Sequence, residues 1–445
     1  MRRILLFVAA VLVALPLCGQ QPLEEFIAAD PDRAAGVLHV YETFDTYDTP
    51  APRGYKPLYI SHYGRHGSRY QLRTSVFEEP LKVLEAAREE GILTDEGRRV
   101  EGALRTLLDE HIDMLGILTQ VGSVQHQDIA ARMIGNYPQV FRQKDRPVVC
   151  AVSSTSQRCI QSMANFCTVL KSVRPALDVR YYTGPRFMQY VAHSYSNPNI
   201  DERSAQKADS LVLAGIADGF DRLYANTFTD PARGRELAGW KFFQEVFSAL
   251  AIAQDLDAGV ESATAVFLST ESTDGISTSG VREAQALLRS FFTASELAAF
   301  NRSENARLFA HWGHSTEFGD SFVQNAGGPL LRDFIDKADA ALSGGDHAAD
   351  LRFGHDSYLT PLLFIIGVEG YEPRPMGQAG ESWPMARYMC MCSNLQMIFY
   401  RNRTGDVLVK LRRNESDVTI PGLETASGPF YSWSVLRPYL LGRIK

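Results

Sequence analysis

Cysteine is scarce in this chain, and its spacing excludes the common zinc-binding scaffolds. Six cysteines occur among 445 residues, and none is spaced as in a zinc ribbon. Cys159 and Cys167 fall on one predicted helix, about 12 Å apart along its axis, which is too far for a mutual disulfide. Five cysteines lie beyond the N-terminal segment: Cys150, Cys159, Cys167, Cys390 and Cys392. In an exported protein some of them could pair, with at least one left free, but buried thiols are the favoured expectation.

The chain also lacks an excess of positive charge. Its formal net charge is −7 at pH 7, which argues against general binding of nucleic acid or of anionic membranes. A small anionic partner would have to be attracted by a local basic cluster.

Long apolar runs are absent beyond the N-terminus, so no stable membrane span is expected. Arg2 and Arg3 precede an apolar run over residues 4–17, which is short for a bilayer and typical of a secretory signal peptide. We expect residues 1–19 to be that signal, and the protein to be exported to the periplasm or the medium. Lipidation of Cys18 is the less favoured alternative, because the bulky Leu17 precedes it.

The order of predicted elements indicates an α/β fold with a mostly parallel central sheet flanked by helices. Thr94 is the expected N-cap of one helix, and residues 153–155 are expected to cap a helix over 157–173. A β-hairpin is expected over residues 395–411. The expected strands of the main sheet are 57–60, 148–152, 178–182 and 350–353.

A long interruption of the strand pattern suggests a second domain. Residues 200–345 are rich in apolar residues at helical spacing, without strand signals. We therefore expect a core of residues 20–184 and 346–445, and an inserted all-helical cap over residues 185–345.

The most informative stretch follows the first strand and contains Arg65, His66, Gly67 and Arg69. A guanidinium holds a phosphate group with two parallel hydrogen bonds, and an imidazole can act as a nucleophile. Glycine at position 67 permits a close approach of the backbone to a neighbouring group. This pattern favours binding of an anion against the His66 imidazole.

Two further strand ends supply polar groups that fit the same chemistry. Arg158 follows the second strand, and His355 with Asp356 follows the last parallel strand. Ligands bind beyond the carboxyl ends of strands in such sheets. We expect Arg65, Arg69, Arg158 and His355 to bind phosphate, His66 to attack phosphorus, and Asp356 to protonate the leaving alkoxide. No metal or other cofactor is needed, because the arginines supply the positive charge.

These motifs resemble those of the histidine acid phosphatases, the family that includes phytases. The first motif, Arg65-His66-Gly67-Ser68-Arg69-Tyr70, resembles that of the multiple inositol polyphosphate phosphatases in its Arg-Tyr ending. The segments 118–126, 137–138, 154–159 and 328–337 are similar to the family too. The resemblance implies an α/β core with a helical cap, and Arg158 as the more distant phosphate ligand.

Two positions depart from that subgroup. Gln71 stands where the subgroup has proline, and His355-Asp356 stands where it usually has His-Ala-Glu. The acid is therefore shorter and one residue nearer the histidine, which affects substrate assignment more than the chemistry.

Several other residues have more than one interpretation. Arg73, Arg186 and Lys56 are expected to contact a polyphosphorylated substrate, although an ordinary surface role also fits Arg186. His62 is expected to pack near the strand end, and His126 to support the pocket. A helix face that packs or faces solvent is the favoured interpretation of His311, His314, Glu317 and Asp320, over a metal site.

The sequence therefore predicts an exported phosphomonoesterase that acts on inositol polyphosphates, phytate above all, through a phosphohistidine intermediate. A broad-specificity acid phosphatase that uses sugar phosphates is the first alternative. A phosphoryl mutase is disfavoured by the signal peptide and the helical insertion. A non-catalytic phosphate-ester binding protein is disfavoured because capture requires neither His66 nor Asp356.

Overall fold

A computed structural model of the chain describes residues 21–44, 46–191, 206–207, 210, 220–256 and 279–445. The expected signal peptide and Cys18 lie outside these residues. Among the described residues, no helix has both the length and the apolar character needed to cross a membrane.

A mixed eight-stranded sheet forms the centre of the molecule, with the strand order β3-β2-β4-β1-β5-β6-β7 and with β8 paired to β6. The first four strands in this order are mutually parallel, and β5 joins them as an antiparallel neighbour of β1. The predicted α/β class and mostly parallel core are confirmed. The strands are β1 Lys56–Arg65, β2 Val148–Ser153, β3 Asp178–Thr183, β4 His347–Gly354, β5 Asn394–Arg401, β6 Val407–Arg413, β7 Ser416–Val418 and β8 Phe430–Ser432.

The register of the parallel strands brings three chain segments to one edge of the sheet. Arg65, the last residue of β1, lies beside Gly354 at the end of β4, and Ser153 of β2 lies beside Phe353. Both β1 and β4 become fully buried toward this edge. The loops that follow these strands therefore meet in one place.

Helices cover the sheet and build the insertion. Thr94 is the predicted N-cap: its side chain accepts a hydrogen bond from the Gly97 amide. The helices flanking the sheet or near the N-terminus are Leu23–Ala29, Pro31–Leu38 (a 3-10 helix), Ser75–Glu89, Asp95–His111, Gln120–Asn136, Pro138–Phe141 and Gln157–Val173. Those after β3 are Pro185–Phe187 (also 3-10), Met188–Val191, 220–227, Pro231–Ala253, Ser279–Phe291, Ala294–Trp312, Ser321–Leu342, Asp356–Ile366, Met376–Ser382, Met385–Tyr388 and Trp433–Arg443.

The buried apolar side chains show how the insertion is attached. Phe77 and Leu104, from helices early in the chain, pack in one cluster with Phe243 and Phe291 of the insertion. By contrast, Phe334 of the helix Ser321–Leu342 belongs to the cluster beside the sheet. The helical layer over the strand ends is thus built from segments on both sides of β2 and β3 in sequence.

Candidate functional site

The loop after β1 is held against a neighbouring helix by two glycines. A Cβ atom at Gly67 would lie 2.6 Å from the carbonyl oxygen of Gly122, and one at Gly122 would lie 2.2 Å from that of Ser68. The side chain of Gln125 accepts from the Ser68 amide at 3.0 Å and donates to the Ser68 hydroxyl at 3.0 Å. The close approach at Gly67 is therefore to the helix Gln120–Asn136, rather than to a ligand.

His66 is buried, and its hydrogen bond fixes which ring nitrogen carries the proton. Nδ1 lies 2.9 Å from the carbonyl oxygen of Gly67, which can only accept, so Nδ1 donates. Nε2 of the neutral ring is then unprotonated and able to attack an electrophile. Burial holds the pKa of His66 well below 6.5, and the nearby Arg158 and Arg65 charges lower it further.

Arg65 is fixed by three acceptors of the protein. Its Nη1 donates to the carbonyl oxygens of Val37 at 2.5 Å and Met389 at 3.0 Å. Its Nη2 lies 2.7 Å from Oδ2 of Asp356. The guanidinium is therefore held in place before any ligand arrives.

Arg69 and Arg158 complete a buried group of three arginines. Arg69 donates from Nη1 to the carbonyl oxygen of Tyr70 at 3.0 Å. Burial and the Arg158 charge lower the pKa of Arg69 to about 10, so it remains charged at neutral pH. Arg158 lies in the first turn of the helix Gln157–Val173 and is buried. Neighbouring like charges without a full set of protein partners are suited to an anionic ligand.

His355 is positioned by Tyr63 of β1 and by Ser154, the residue after β2. The Tyr63 hydroxyl accepts from the His355 amide at 2.9 Å and donates to the His355 carbonyl oxygen at 3.2 Å. Nε2 of His355 lies 3.0 Å from the Ser154 hydroxyl. The His355 and His66 rings meet edge to face, with centroids 5.5 Å apart.

Ser154 was expected to cap the following helix, and this prediction is wrong. The helix begins at Gln157, and its N-cap is Ser156, which makes no side-chain capping bond. The Ser154 hydroxyl instead contacts Nε2 of His355.

Asp356 begins the helix Asp356–Ile366, and its carboxylate faces the same cavity as His66. Oδ1 accepts from the Ser357 amide at 2.9 Å, while Oδ2 pairs with Arg65. The N-terminus of a helix favours negative charge there. Asp356 and His66 are distant in sequence, yet both line the same cavity.

This cavity has a volume of about 660 Å³ and lies between the strand ends and the helical layer. The helical segments between β3 and β4 contribute Trp240, Lys241, Glu245 and Trp312 to its wall. Its six basic lining residues are Arg65, Arg69, Arg73, Arg158, Lys241 and Arg307, and its three acidic ones are Glu245, Glu304 and Asp356. The cavity is therefore locally positive in a chain whose formal charge is −7.

Of the three predicted substrate contacts, only Arg73 lines this cavity. Lys56 is the first of ten residues in β1, so it lies roughly 30 Å from the motif at the other end of the strand. Arg186 is exposed and lines a separate cavity beside β2 and β3. Neither residue is placed to contact a ligand held by His66.

Two other histidines singled out in the sequence, His62 and His126, are buried in the core next to the site. His62 packs on the rings of Phe166 and Phe353, as predicted, with centroids 5.4 and 5.6 Å away. His126 packs on Phe353 at 5.7 Å and lies beside the backbone of Arg65. Burial lowers the pKa of both histidines to about 3, so both are neutral at physiological pH.

Two of the residues considered as metal ligands in the sequence, Glu317 and Asp320, have other partners. Glu317 accepts from the Met376 amide at 3.1 Å through both oxygens, and Asp320 pairs with Lys445. Within the described part of the chain, no three His, Cys, Asp or Glu side chains converge as metal ligands would. The five described cysteines are buried and unpaired, as predicted.

Comparison with known proteins gives a clear result at the level of the fold. Neither a family model nor a curated protein matches the chain. Among solved structures, the Bifidobacterium longum multiple inositol polyphosphate phosphatase with phosphate aligns with a TM-score of 0.70 and 17% identity, covering 93% of this chain and 98% of that one. The same enzyme in complex with inositol hexasulfate gives 0.68 at 17% identity, with the same coverage. The phytase from D. castellii gives 0.63 at 12% identity, covering 93% and 85%.

The chain has the histidine acid phosphatase fold. The similarity spans nearly its full length, so it includes the helical layer of this fold as well as the sheet. At these identities the likeness concerns architecture, and the chemistry has to be argued from the residues in the cavity.

Sequence reasoning missed several residues that shape the site. Tyr63 lies on β1 and Ser154 directly follows β2, but nothing in their spacing indicated a bond to His355. Lys241 and Arg307 lie in the insertion, whose packing over the strand ends could not be deduced from periodicity alone.

Proposed function

We propose that the protein is an exported phosphomonoesterase that hydrolyses inositol polyphosphates through a phosphohistidine intermediate. The observation that carries this proposal is the His66 ring. Its Nδ1 proton is engaged by Gly67, its Nε2 is available, and it lies in one cavity with Asp356 and three buried arginines.

The reaction then follows from the charges around the phosphoryl group. Nε2 of His66 attacks phosphorus in line with the leaving oxygen, and Arg69, Arg158 and His355 stabilise the charge on the equatorial oxygens. The protonated carboxyl group of Asp356 donates its proton to the departing alkoxide. The resulting carboxylate accepts a proton from the water that attacks the phosphohistidine, which releases phosphate and restores His66.

The preference for a polyphosphorylated substrate rests on the cavity. Its volume of about 660 Å³ exceeds what one phosphate requires, and Arg73, Lys241 and Arg307 line it in addition to the three buried arginines. The B. longum phosphatase, which shares this fold, was crystallised with inositol hexasulfate. An inositol ring with several phosphate groups suits a wide, positively lined space.

The decisive experiment measures phosphate release from phytate, with a chelator present, by the wild type and by His66→Ala. We expect turnover by the wild type and none by the variant, with unchanged circular dichroism. His314→Ala, which changes a half-buried histidine outside the cavity, is the matched control and should retain activity. Normal turnover by His66→Ala would refute the assignment of the nucleophile.

The same assay separates the related functions. Equal kcat/KM values for phytate and sugar phosphates would favour a broad-specificity phosphatase, and binding of phytate without release would favour a capture protein. Export rests on the predicted signal over residues 1–19. Fractionation of expressing cells, followed by N-terminal sequencing of the mature protein, tests it.

A further inference from the structure

A second carboxylate, that of Asp255, interacts with residues of the loop after β1 and has no role in the chemistry proposed above. It follows the helix Pro231–Ala253 of the insertion and has no exposed surface. Neither of its carboxylate oxygens makes a hydrogen bond of good geometry to a described residue, although the Ser68 hydroxyl is near enough to act on it. A buried acid in this state requires an explanation.

The position of Asp255 is fixed by its neighbours. Gln254 accepts from Nδ1 of His39 at 3.0 Å and from the Val40 amide at 3.1 Å, which anchors the end of the insertion helix to the N-terminal segment. The groups that act electrostatically on the carboxylate of Asp255 are the Ser68 hydroxyl and the Arg69 and Arg65 guanidinium groups. It does not line the cavity, so it faces these arginines from inside the protein.

Among the described residues, three segments contribute titratable or charged groups near Asp255. The loop after β1 presents Arg65 and Arg69, with Arg158 beyond Arg69. The segment before β5 presents the Cys392 thiol, whose pKa burial raises well above 9.0 and which is therefore neutral. The N-terminal segment presents the His39–Glu42 ion pair next to Gln254.

We propose that Asp255 is a positioning residue that sets, through Arg69 and Arg65, how strongly the loop after β1 attracts an anion. When ionised, its carboxylate offsets part of the arginine charge and weakens the hold on a phosphate group. When protonated, it leaves that charge uncompensated, and the anion is held more tightly. The helical insertion would in this way adjust the affinity of the core for substrate and product.

The sign of the pH effect follows from burial. Burial raises the pKa of Asp255 from 3.8 to about 7, even though Ser68, Arg69 and Arg65 act in the opposite direction. The acid is then mostly neutral at pH 5.5 and mostly ionised at pH 8.5. Anion affinity should fall as the pH rises through this range.

The test uses inorganic sulfate, whose charge is constant across this range, and measures its dissociation constant by calorimetry from pH 5.5 to 8.5. The inference rests on the anion site of the proposed function but not on catalysis, so sulfate binding tests it even in a protein without turnover. Wild-type affinity should fall about tenfold between these limits. Asp255→Asn should bind sulfate with nearly constant affinity, close to that of the wild type at pH 5.5.

Asp230→Asn is the matched control. Asp230 caps the other end of the same helix, where asparagine caps equally well, so its pH dependence should equal that of the wild type. An unchanged fall in Asp255→Asn would overturn the proposal and assign the titration to another group, such as His355. A wild type whose sulfate affinity is independent of pH would overturn it without reference to any variant.

Discussion

Arg65 and Asp356 form a buried ion pair, with 2.7 Å between Nη2 and Oδ2, at the point where β1 and β4 end side by side. The pair joins Arg65, proposed to bind the phosphoryl group, to Asp356, proposed to protonate the leaving group. It also ties the loop that carries His66 to the first residue of the helix Asp356–Ile366.

Replacement of Asp356 by asparagine tests the proton donor. The amide preserves the shape of the side chain and can still accept from Ser357, but it carries no transferable proton. We expect phytate hydrolysis to slow by roughly 10²–10⁴-fold, the usual contribution of a general acid. An aryl phosphate, whose leaving group needs little protonation, should slow far less. Equal slowing of both substrates in steady-state assays would contradict the donor role.

Lys241→Ala tests whether the insertion recognises substrate. Lys241 is an exposed residue of the insertion that lines the cavity, so its loss should raise KM for phytate roughly two- to fivefold, the cost of one exposed charge contact. The KM for an aryl monophosphate should change little. Lys56→Ala is the matched control, because Lys56 lies at the far end of β1, and it should leave both KM values unchanged.

The glycine contact beneath the motif gives a stability prediction with a control on the same helix. Alanine at Gly122 would place a Cβ 2.2 Å from the backbone oxygen of Ser68, and we expect a loss of about 2 kcal/mol or more in the free energy of unfolding. Activity should fall as well, since the loop carrying His66 must move. Gly135→Ala meets no atom within 4 Å and should stabilise the protein by about 0.5–1 kcal/mol. Urea denaturation of both variants measures the difference.

The buried histidines predict a loss of stability in acid. The native pKa values of His62 and His126 are lowered from 6.5 to about 3 by burial. Between these values the unfolded chain binds more protons than the native protein, so the free energy of unfolding falls as the pH falls. Each such histidine contributes up to about 1.4 kcal/mol per pH unit.

Urea denaturation at pH 7, 6 and 5 checks this dependence. His62→Leu removes one of the titrating groups and should make the decline shallower by about 1 kcal/mol per pH unit. Parallel declines in the variant and the wild type would show that His62 is not responsible.

The parts that sequence predicted well are those governed by local pattern. Apolar runs located β1, β2, β3 and β4, and the rule that ligands bind beyond parallel strand ends led to Arg65, His66, Arg158 and His355. Arg158 lay outside the first motif, yet the strand before it was enough to place it at the same edge.

Residues whose roles depend on long-range packing could not be predicted in this way. Lys56 is close to the motif in sequence, but an extended strand carries it to the opposite edge of the sheet. Asp255 has no motif around it, and its relation to Arg69 exists only because the insertion helix ends at the N-terminal segment. Short sequence distance and periodicity contain no information about such contacts.

The bond from Arg65 to the carbonyl oxygen of Val37 has a practical consequence for work with shortened versions of the chain. Residues 31–38 contribute nothing to the sheet, and a fragment designed to start just before β1 would omit them. That fragment would keep His66, Arg158 and Asp356 but lose an anchor of Arg65 and part of the cavity wall. A weakly active truncation should therefore be extended toward its N-terminus before the proposed roles of those residues are questioned.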